Sequence, residues 1–122
     1  MKNETRIVNC TPHDITLLDP AEANMGIPKV LGVIKKSGII ARVLEDTHLL
    51  DRIEYDGLSL PITMQRVKTI MNLPDKQEGT YYIVSSKVAL ALKGERNDLL
   101  ITGGIRRDKR GNVLGAISLQ MV

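Results

Sequence analysis

The sequence predicts an α+β fold made mainly of antiparallel β-hairpins with one short helix. Three observations lead there. Short runs of β-branched and aliphatic residues are separated by Gly, Pro, Asn and Asp turns, the pattern of strands joined by tight connections. Only one stretch, Ser86 to about Gly94, places helix-forming residues (Val88, Ala89, Leu90, Ala91, Leu92) between a capping serine and a stopping glycine. The 122 residues are 43% apolar and 25% charged, too apolar for disorder and long enough for a real core. No linker or internal repeat divides them, so residues 1–122 read as a single compact domain.

Taken in order, Arg6-Ile7-Val8-Asn9 reads as a strand, with Asp14-Ile15-Thr16-Leu17-Leu18 as its hairpin partner across the turn Cys10-Thr11-Pro12-His13. Pro12 fixes its own φ and biases Thr11 toward extended backbone, so this turn is stiff. Asp19 to Pro28 reads as a loop with one helical turn around Ala21-Glu22-Ala23. Lys29 to Ile34 and Ile39 to Leu44 flank Lys35-Lys36-Ser37-Gly38 and read as a second hairpin. Asp56-Gly57 signals a third, with an edge strand from about Pro61 that puts Ile62, Met64 and Arg66 on one face and Thr63, Gln65 and Val67 on the other. Tyr81 to Ser85 is a strand leading into the helix, with Ser86 as N-cap. Leu99-Leu100-Ile101 is another, and Thr102-Gly103-Gly104 reads as a hinge before the cationic loop Ile105 to Gly111. Val113 to Leu119 closes the chain as the last strand.

Net charge is +3, enough for a local anion-binding patch and too small to mark a nucleic-acid binder. Cys10 is the only cysteine, which excludes an intrachain disulfide and a thiolate zinc cluster; its simplest reading is a small packed hydrophobe in a reducing cytoplasm. The opening residues hold no apolar run of signal-peptide length, and nowhere do about twenty apolar residues follow one another. The expectation is a cytoplasmic protein with no membrane partner.

The residues supply binding chemistry better than catalysis. There is no G-x-S-x-G elbow and no Cys-His set, and the two histidines, His13 and His48, lack a neighbour at metal-ligand spacing, so no catalytic residue and no metal or cofactor is assigned. Arg106, Arg107 and Arg110 form the densest positive charge, suited to phosphate. Tyr82 offers an aromatic face for a base, and Asn97 and Asp98 offer polar atoms for ribose hydroxyls or a base edge. Arg42, inside an apolar run, is either an edge-strand charge or an inward clamp on an anion. Arg66, Thr11 and His13 complete the candidate set; Thr11 and Asp14 equally suit simple satisfaction of the turn's backbone. With few aromatics and no duplex-reading motif, the pattern argues against an open nucleic-acid surface.

Five stretches also carry a resemblance: Ile7 to His13 with its Asn9-x-Thr11-Pro12-His13 core, Ser37 to Arg42, Gly79 to Ser86, Arg96 to Leu99, and Arg107 to Gly115. In this order, running almost end to end, they resemble small phage and bacterial proteins opening with N-x-T-P-H, a group that includes the phage Thoeris anti-defence sponges of the first type. Cys10 stands where such proteins often have Leu, and Ile70-Met71-Asn72 precedes the Leu-Pro where an aromatic or glycine is common. The resemblance implies a homo-oligomer, a dimer or a multiple of dimers, in the host bacterial cytoplasm. It would hold a cyclic ADP-ribose-type signal in pockets near subunit interfaces without cleaving it, and so block activation of the Thoeris effector. Two other functions fit the same residues. A phosphodiesterase or lyase acting on such a nucleotide would use His13 or His48 as acid or base, and a DNA- or protein-interaction module would use the basic loop on a macromolecular surface.

Overall fold

The computed structural model describes residues 4–21 and 28–122. Along the chain run β1 (Arg6–Asn9), β2 (Ile15–Leu18), β3 (Val30–Ile34), β4 (Arg42–Tyr55), β5 (Leu58–Met71), β6 (Thr80–Ile83), α1 (Ser86–Ala91), β7 (Leu99–Arg107) and β8 (Val113–Gln120). Most strand pairing is antiparallel and α1 is the single helix among the described residues, the α+β architecture that the sequence predicts. The expected helical turn around Ala21-Glu22-Ala23 falls on residues 22–27 and lies outside the described residues.

Six strands form one sheet in the order β1-β6-β7-β8-β2-β3, and β4 and β5 form a separate two-stranded ribbon. This corrects the first two hairpins. β1 does not pair with β2; it lies parallel to β6, with Arg6 opposite Thr80 and Asn9 opposite Ile83. β2 instead lies between β3, antiparallel, and β8, parallel through Leu17 and Ala116. Likewise Lys29 to Ile34 does not pair with Ile39 to Leu44, because β3 takes β2 and β4 takes β5.

The physical reason for the first correction is the side chain of Asn9. It is buried, its Nδ2 donates to the carbonyls of His13 (2.8 Å) and Ile34 (3.1 Å), and its Oδ1 accepts from Thr11 N (3.0 Å) and Thr11 Oγ1 (2.7 Å). The Thr-Pro-His turn is thereby rolled onto Asn9 instead of folding β2 back along β1. A second effect follows at the other edge. Asn9 also forms a parallel bridge with Lys36, and its carbonyl accepts from Ser37 N (3.0 Å) and Ser37 Oγ (2.7 Å). Since β1 and β3 are the two ends of the sheet, these bonds draw its edges together at one end.

The β6-α1-β7 segment is a parallel crossover, with Tyr82 N bonded to Asp98 O at 2.9 Å and Val84 N to Leu100 O at 2.9 Å. The N-cap of α1 is Ser85, not Ser86: its side chain accepts from Val88 N at 3.3 Å, and its extended backbone (φ −65°, ψ 155°) is that of a cap. Val88, Ala89 and Leu92 then reach the sheet, where Cys10, Ala41, Tyr82, Val84 and Leu99 complete the core. Cys10 is fully buried, as its packed reading requires, and that burial pushes its thiol above the ordinary range despite an opposing hydrogen bond with Ser37.

The pair Gly103-Gly104 is not a hinge. Both residues lie within β7, and a Cβ on Gly103 would sit 2.7 Å from Ser118 Oγ, while one on Gly104 would sit 2.3 Å from Ile117 Cγ1. These glycines let the side chains of β8 cross the strand. The expected cationic loop shortens for the same reason: Arg106 and Arg107 are strand residues, and the reversal is confined to residues 108–112.

β4 and β5 form the expected Asp56-Gly57 hairpin, with β5 starting at Leu58 rather than about Pro61. Fourteen residues in each strand make a ribbon about 45 Å long. Asp56 (φ 50°) and Gly57 (φ 77°) both take the left-handed conformation of a tight two-residue turn. Among the described residues only its base is held by the body: Val43 and Ile70 pack against the core, and Lys87 of α1 pairs with Glu45.

Candidate functional site

A cavity of about 520 Å³ opens where the drawn-together end of the sheet meets the start of α1. Each wall has a separate origin. The Asn9-locked turn presents Thr11 and His13, β2 adds Ile15 and Thr16, and the end of β6 adds Ile83 followed by Ser85 and Ser86. From β7 come Ile101, Thr102 and Ile105, and from β8 Val113, Leu114 and Ala116. The result is an aliphatic chamber with a fringe of hydroxyls and one imidazole. Some of that polarity is already engaged: Thr11 Oγ1 is committed to Asn9, and Ser85 Oγ caps the helix. The His13 imidazole and the hydroxyls of Thr16, Ser86 and Thr102 form no hydrogen bond among the described residues.

The β7–β8 hairpin continues directly from this wall. Between Ile105 and Val113 it carries Arg106, Arg107, Lys109 and Arg110. Asp108 folds the tip by accepting from Arg110 N (2.8 Å) and Asn112 N (2.9 Å), and these backbone donors, Asn112 first, hold its carboxyl below the usual range. Arg107 donates to Gly111 O at 2.9 Å. Arg106 reaches Gly104 O at 3.4 Å, and its Nε is buried with no partner. The guanidinium of Arg110 forms no bond among the described residues. Four cations against one carboxylate that is occupied by its own turn leave the hairpin open to an anion.

The other sequence candidates are placed elsewhere. Tyr82 is 2% exposed, its hydroxyl donates to Asp75 O at 3.0 Å, and Arg96 lies over its ring at 5.9 Å, so it is a core residue with no face left for a base. Asp98 is buried in a two-pronged pair with Arg96, whose Nε and NH2 each reach a carboxylate oxygen at 2.8 Å. That guanidinium holds the Asp98 carboxyl below its ordinary range, and the same pair raises Arg96. Asn97 accepts from Lys76. Both residues precede β7 while Arg106 is near its far end, so about 27 Å of strand separates them and they do not share a single-chain site with the hairpin arginines. Arg42 and Arg66 lie exposed on the ribbon, opposite Met71 and Asp46, which makes Arg42 an edge-strand charge.

Of the ten candidates, Thr11 and His13 line the cavity and Arg106, Arg107 and Arg110 sit on the adjoining hairpin. Sequence reasoning missed Thr16, Ser86 and Thr102 because hydroxyls in strands are commonplace. The adjacent serines at a strand-to-helix junction were the available signal.

No helix among the described residues is long and apolar enough to cross a membrane, and no cluster of His, Cys, Asp and Glu among them suits a metal. No known protein family matches the chain, and neither does any curated protein or solved structure.

Proposed function

We propose that this protein binds a cyclic ADP-ribose-type nucleotide and sequesters it without cleaving it, acting as a phage anti-defence sponge that withholds the signal from a Thoeris effector in the bacterial cytoplasm. The observation that carries the reading is the continuity of the 520 Å³ cavity with the four-cation hairpin. Small-ligand sites commonly span about 300–1,000 Å³ and combine aliphatic walls with a few polar groups. Ile83, Ile105 and Leu114 suit a purine, the hydroxyls of Ser86 and Thr102 suit ribose, and Arg106, Arg107 and Arg110 suit the pyrophosphate. The protein acts as a homo-oligomer, each copy offering one such cavity.

A second reading, cleavage by a phosphodiesterase or lyase, draws on His13 in the cavity wall. Its neighbour Asp14 is occupied by Lys36 N (2.9 Å) and Lys35 (3.4 Å), and among the described residues no carboxylate bonds the imidazole to orient it. Binding without turnover is the better fit. Calorimetric titration with the cyclic ADP-ribose isomers, followed by heat denaturation and chromatography of the released ligand, separates the readings. Tight binding with intact ligand recovered supports sequestration, altered nucleotide supports the enzyme, and no heat with any isomer rejects both. Binding to duplex DNA that weakens steeply with salt would assign the hairpin to a nucleic-acid partner instead.

A further inference from the structure

The β4–β5 ribbon has one apolar face that none of the described residues covers. Successive pairs alternate faces. Toward the tip, one face carries His48 opposite Met64, Ile53 opposite Leu60, and Tyr55 opposite Leu58, joined by Ile62 and Leu50. The intervening pairs, Leu49 with Thr63, Arg52 with Pro61 and Glu54 with Ser59, put mostly polar and charged side chains on the other. A bulge interrupts β4 beside this face. Leu50 is the extra residue between the Leu49–Thr63 and Asp51–Ile62 pairs; it shifts the phase of β4 by one and puts Leu49 on the other face. Leu50, Ile53, Tyr55, Leu58, Leu60, Ile62 and Met64 are each between 36% and 68% exposed.

We infer that this face is a homotypic interface, covered by the same face of a second copy of the chain. A two-stranded ribbon is marginal in water by itself and needs a further layer. Two ribbons stacked face to face, at the roughly 10 Å spacing of packed sheets, supply that layer to each other. A two-fold interface uses one patch twice and must therefore be self-complementary. A stripe whose only carboxylate toward the tip is Asp51 meets that condition, whereas a charged partner surface would find nothing to pair with. The seven apolar side chains expose about 600 Å² per copy, so a pair buries about 1,200 Å², the lower bound of a stable protein interface. Edge-to-edge joining is blocked, because Pro61 removes a donor from β5 and the bulges interrupt both strands. The interface rests on the ribbon alone, so a dimer that binds no nucleotide leaves it standing.

The test is sedimentation velocity on the full chain at micromolar concentrations. The wild type is expected at twice the monomer mass or an even multiple. Ile53→Asp with Leu60→Asp is expected to raise the dissociation constant at least a hundredfold, and Thr63→Asp on the opposite face to leave it within a few fold. Hydrogen exchange on the wild type covers the case of a variant that misfolds: ribbon amides near Ile53 and Leu60 become more protected as protein concentration rises. A wild type that stays monomeric, including one that associates only when another protein is added, overturns the inference. So does a dimer that survives Ile53→Asp with Leu60→Asp, or ribbon protection that is independent of concentration.

Discussion

Asn9 donates from its Nδ2 to the carbonyl of Ile34 across 3.1 Å, joining residues 25 positions apart from the two outer strands of the six-stranded sheet. The same side chain holds Thr11 and His13, so one buried amide both shapes the turn in the cavity wall and closes the sheet beside it. Replacing it tests whether closure and cavity are coupled. Asn9→Ala leaves buried polar groups unpaired, and unfolding in urea is expected to show a loss of about 2–4 kcal/mol. Asn9→Asp keeps the shape but exchanges two donors for a buried charge, and is expected to be at least as damaging.

Gly115 marks another junction that admits no side chain. A Cβ there would meet Thr16 O at 2.6 Å and Leu18 Cγ at 2.9 Å, and the first of these is backbone that cannot swing aside. Gly115→Ala must therefore push β8 away from β2, where the two strands are joined through Leu17 and Ala116. The expected cost is about 1–3 kcal/mol, that of overpacking a filled interior. Gly111→Ala serves as comparison: its φ of 87° costs strain, but open space surrounds it, so a larger loss at Gly115 isolates the steric effect from conformation.

How much of this was legible in the sequence depended on whether the determining contact was local. The Asp56-Gly57 turn and the alternation of Ile62, Met64 and Arg66 are short-range features, and the structure carries them as expected; the helix ends at Ala91, earlier than the expected stop at Gly94. The partners of β1 and β2 were not legible, because adjacent strands are expected to form a hairpin unless the intervening turn has other bonds. Those bonds come from Asn9, whose side-chain partners include a carbonyl 25 residues away. The apolar face of the ribbon was legible in β5, where Leu58, Leu60, Ile62 and Met64 alternate strictly; in β4 the bulge at Leu50, which puts Leu49 opposite Thr63 on the other face, was not. In the candidate site the cationic hairpin was legible as a charge cluster. The burial of Tyr82 was not, since a tyrosine in a strand serves a core as readily as a surface.

The Arg96–Asp98 pair makes a prediction about acid stability. Hydrogen bonds from Arg96 lower the Asp98 carboxyl in the folded protein below its unfolded value near about 3.9. A depressed folded value means that the pair's contribution is fully present above the unfolded value and is lost as pH falls through the folded one. Asp98→Asn is expected to cost about 2–3 kcal/mol at neutral pH, because Arg96, which also bonds Pro74 O at 3.1 Å, is left without its carboxylate. Thermal unfolding across the acid range provides the check. The wild type should lose stability below about pH 4 and the variant should lose less, since one of its titrating groups is gone. Parallel acid limbs would remove Asp98 as a source of the pH dependence. Asp14 and Asp108 are lowered in the same direction, so some slope remains in the variant.

On the proposed function the cavity and the hairpin would contribute separably to nucleotide capture, and two kinds of variant distinguish them. Arg106→Ala, Arg107→Ala and Arg110→Ala each remove a cation from the hairpin without altering the cavity wall. Loss of a charge-assisted hydrogen bond of about 1.5–3 kcal/mol corresponds to an affinity roughly 10- to 150-fold weaker, with a smaller dependence on salt than the wild type. Arg106 should show the largest loss, because its partly buried guanidinium has an unpaired Nε and the least solvent to compensate. Thr102→Trp does the opposite, leaving every cation in place while filling the chamber that Thr102 lines together with Ile83 and Leu114. Its binding should be abolished at any salt concentration. Arg42→Ala and Arg66→Ala lie on the ribbon outside the cavity lining and should change affinity less than twofold. Titration calorimetry of all six variants with one cyclic ADP-ribose isomer reads both effects. If the arginine variants fail while Thr102→Trp binds normally, the anion sits on the hairpin alone and the cavity is not its site. If Arg42→Ala fails with the hairpin arginines, the ribbon of a neighbouring copy completes the site.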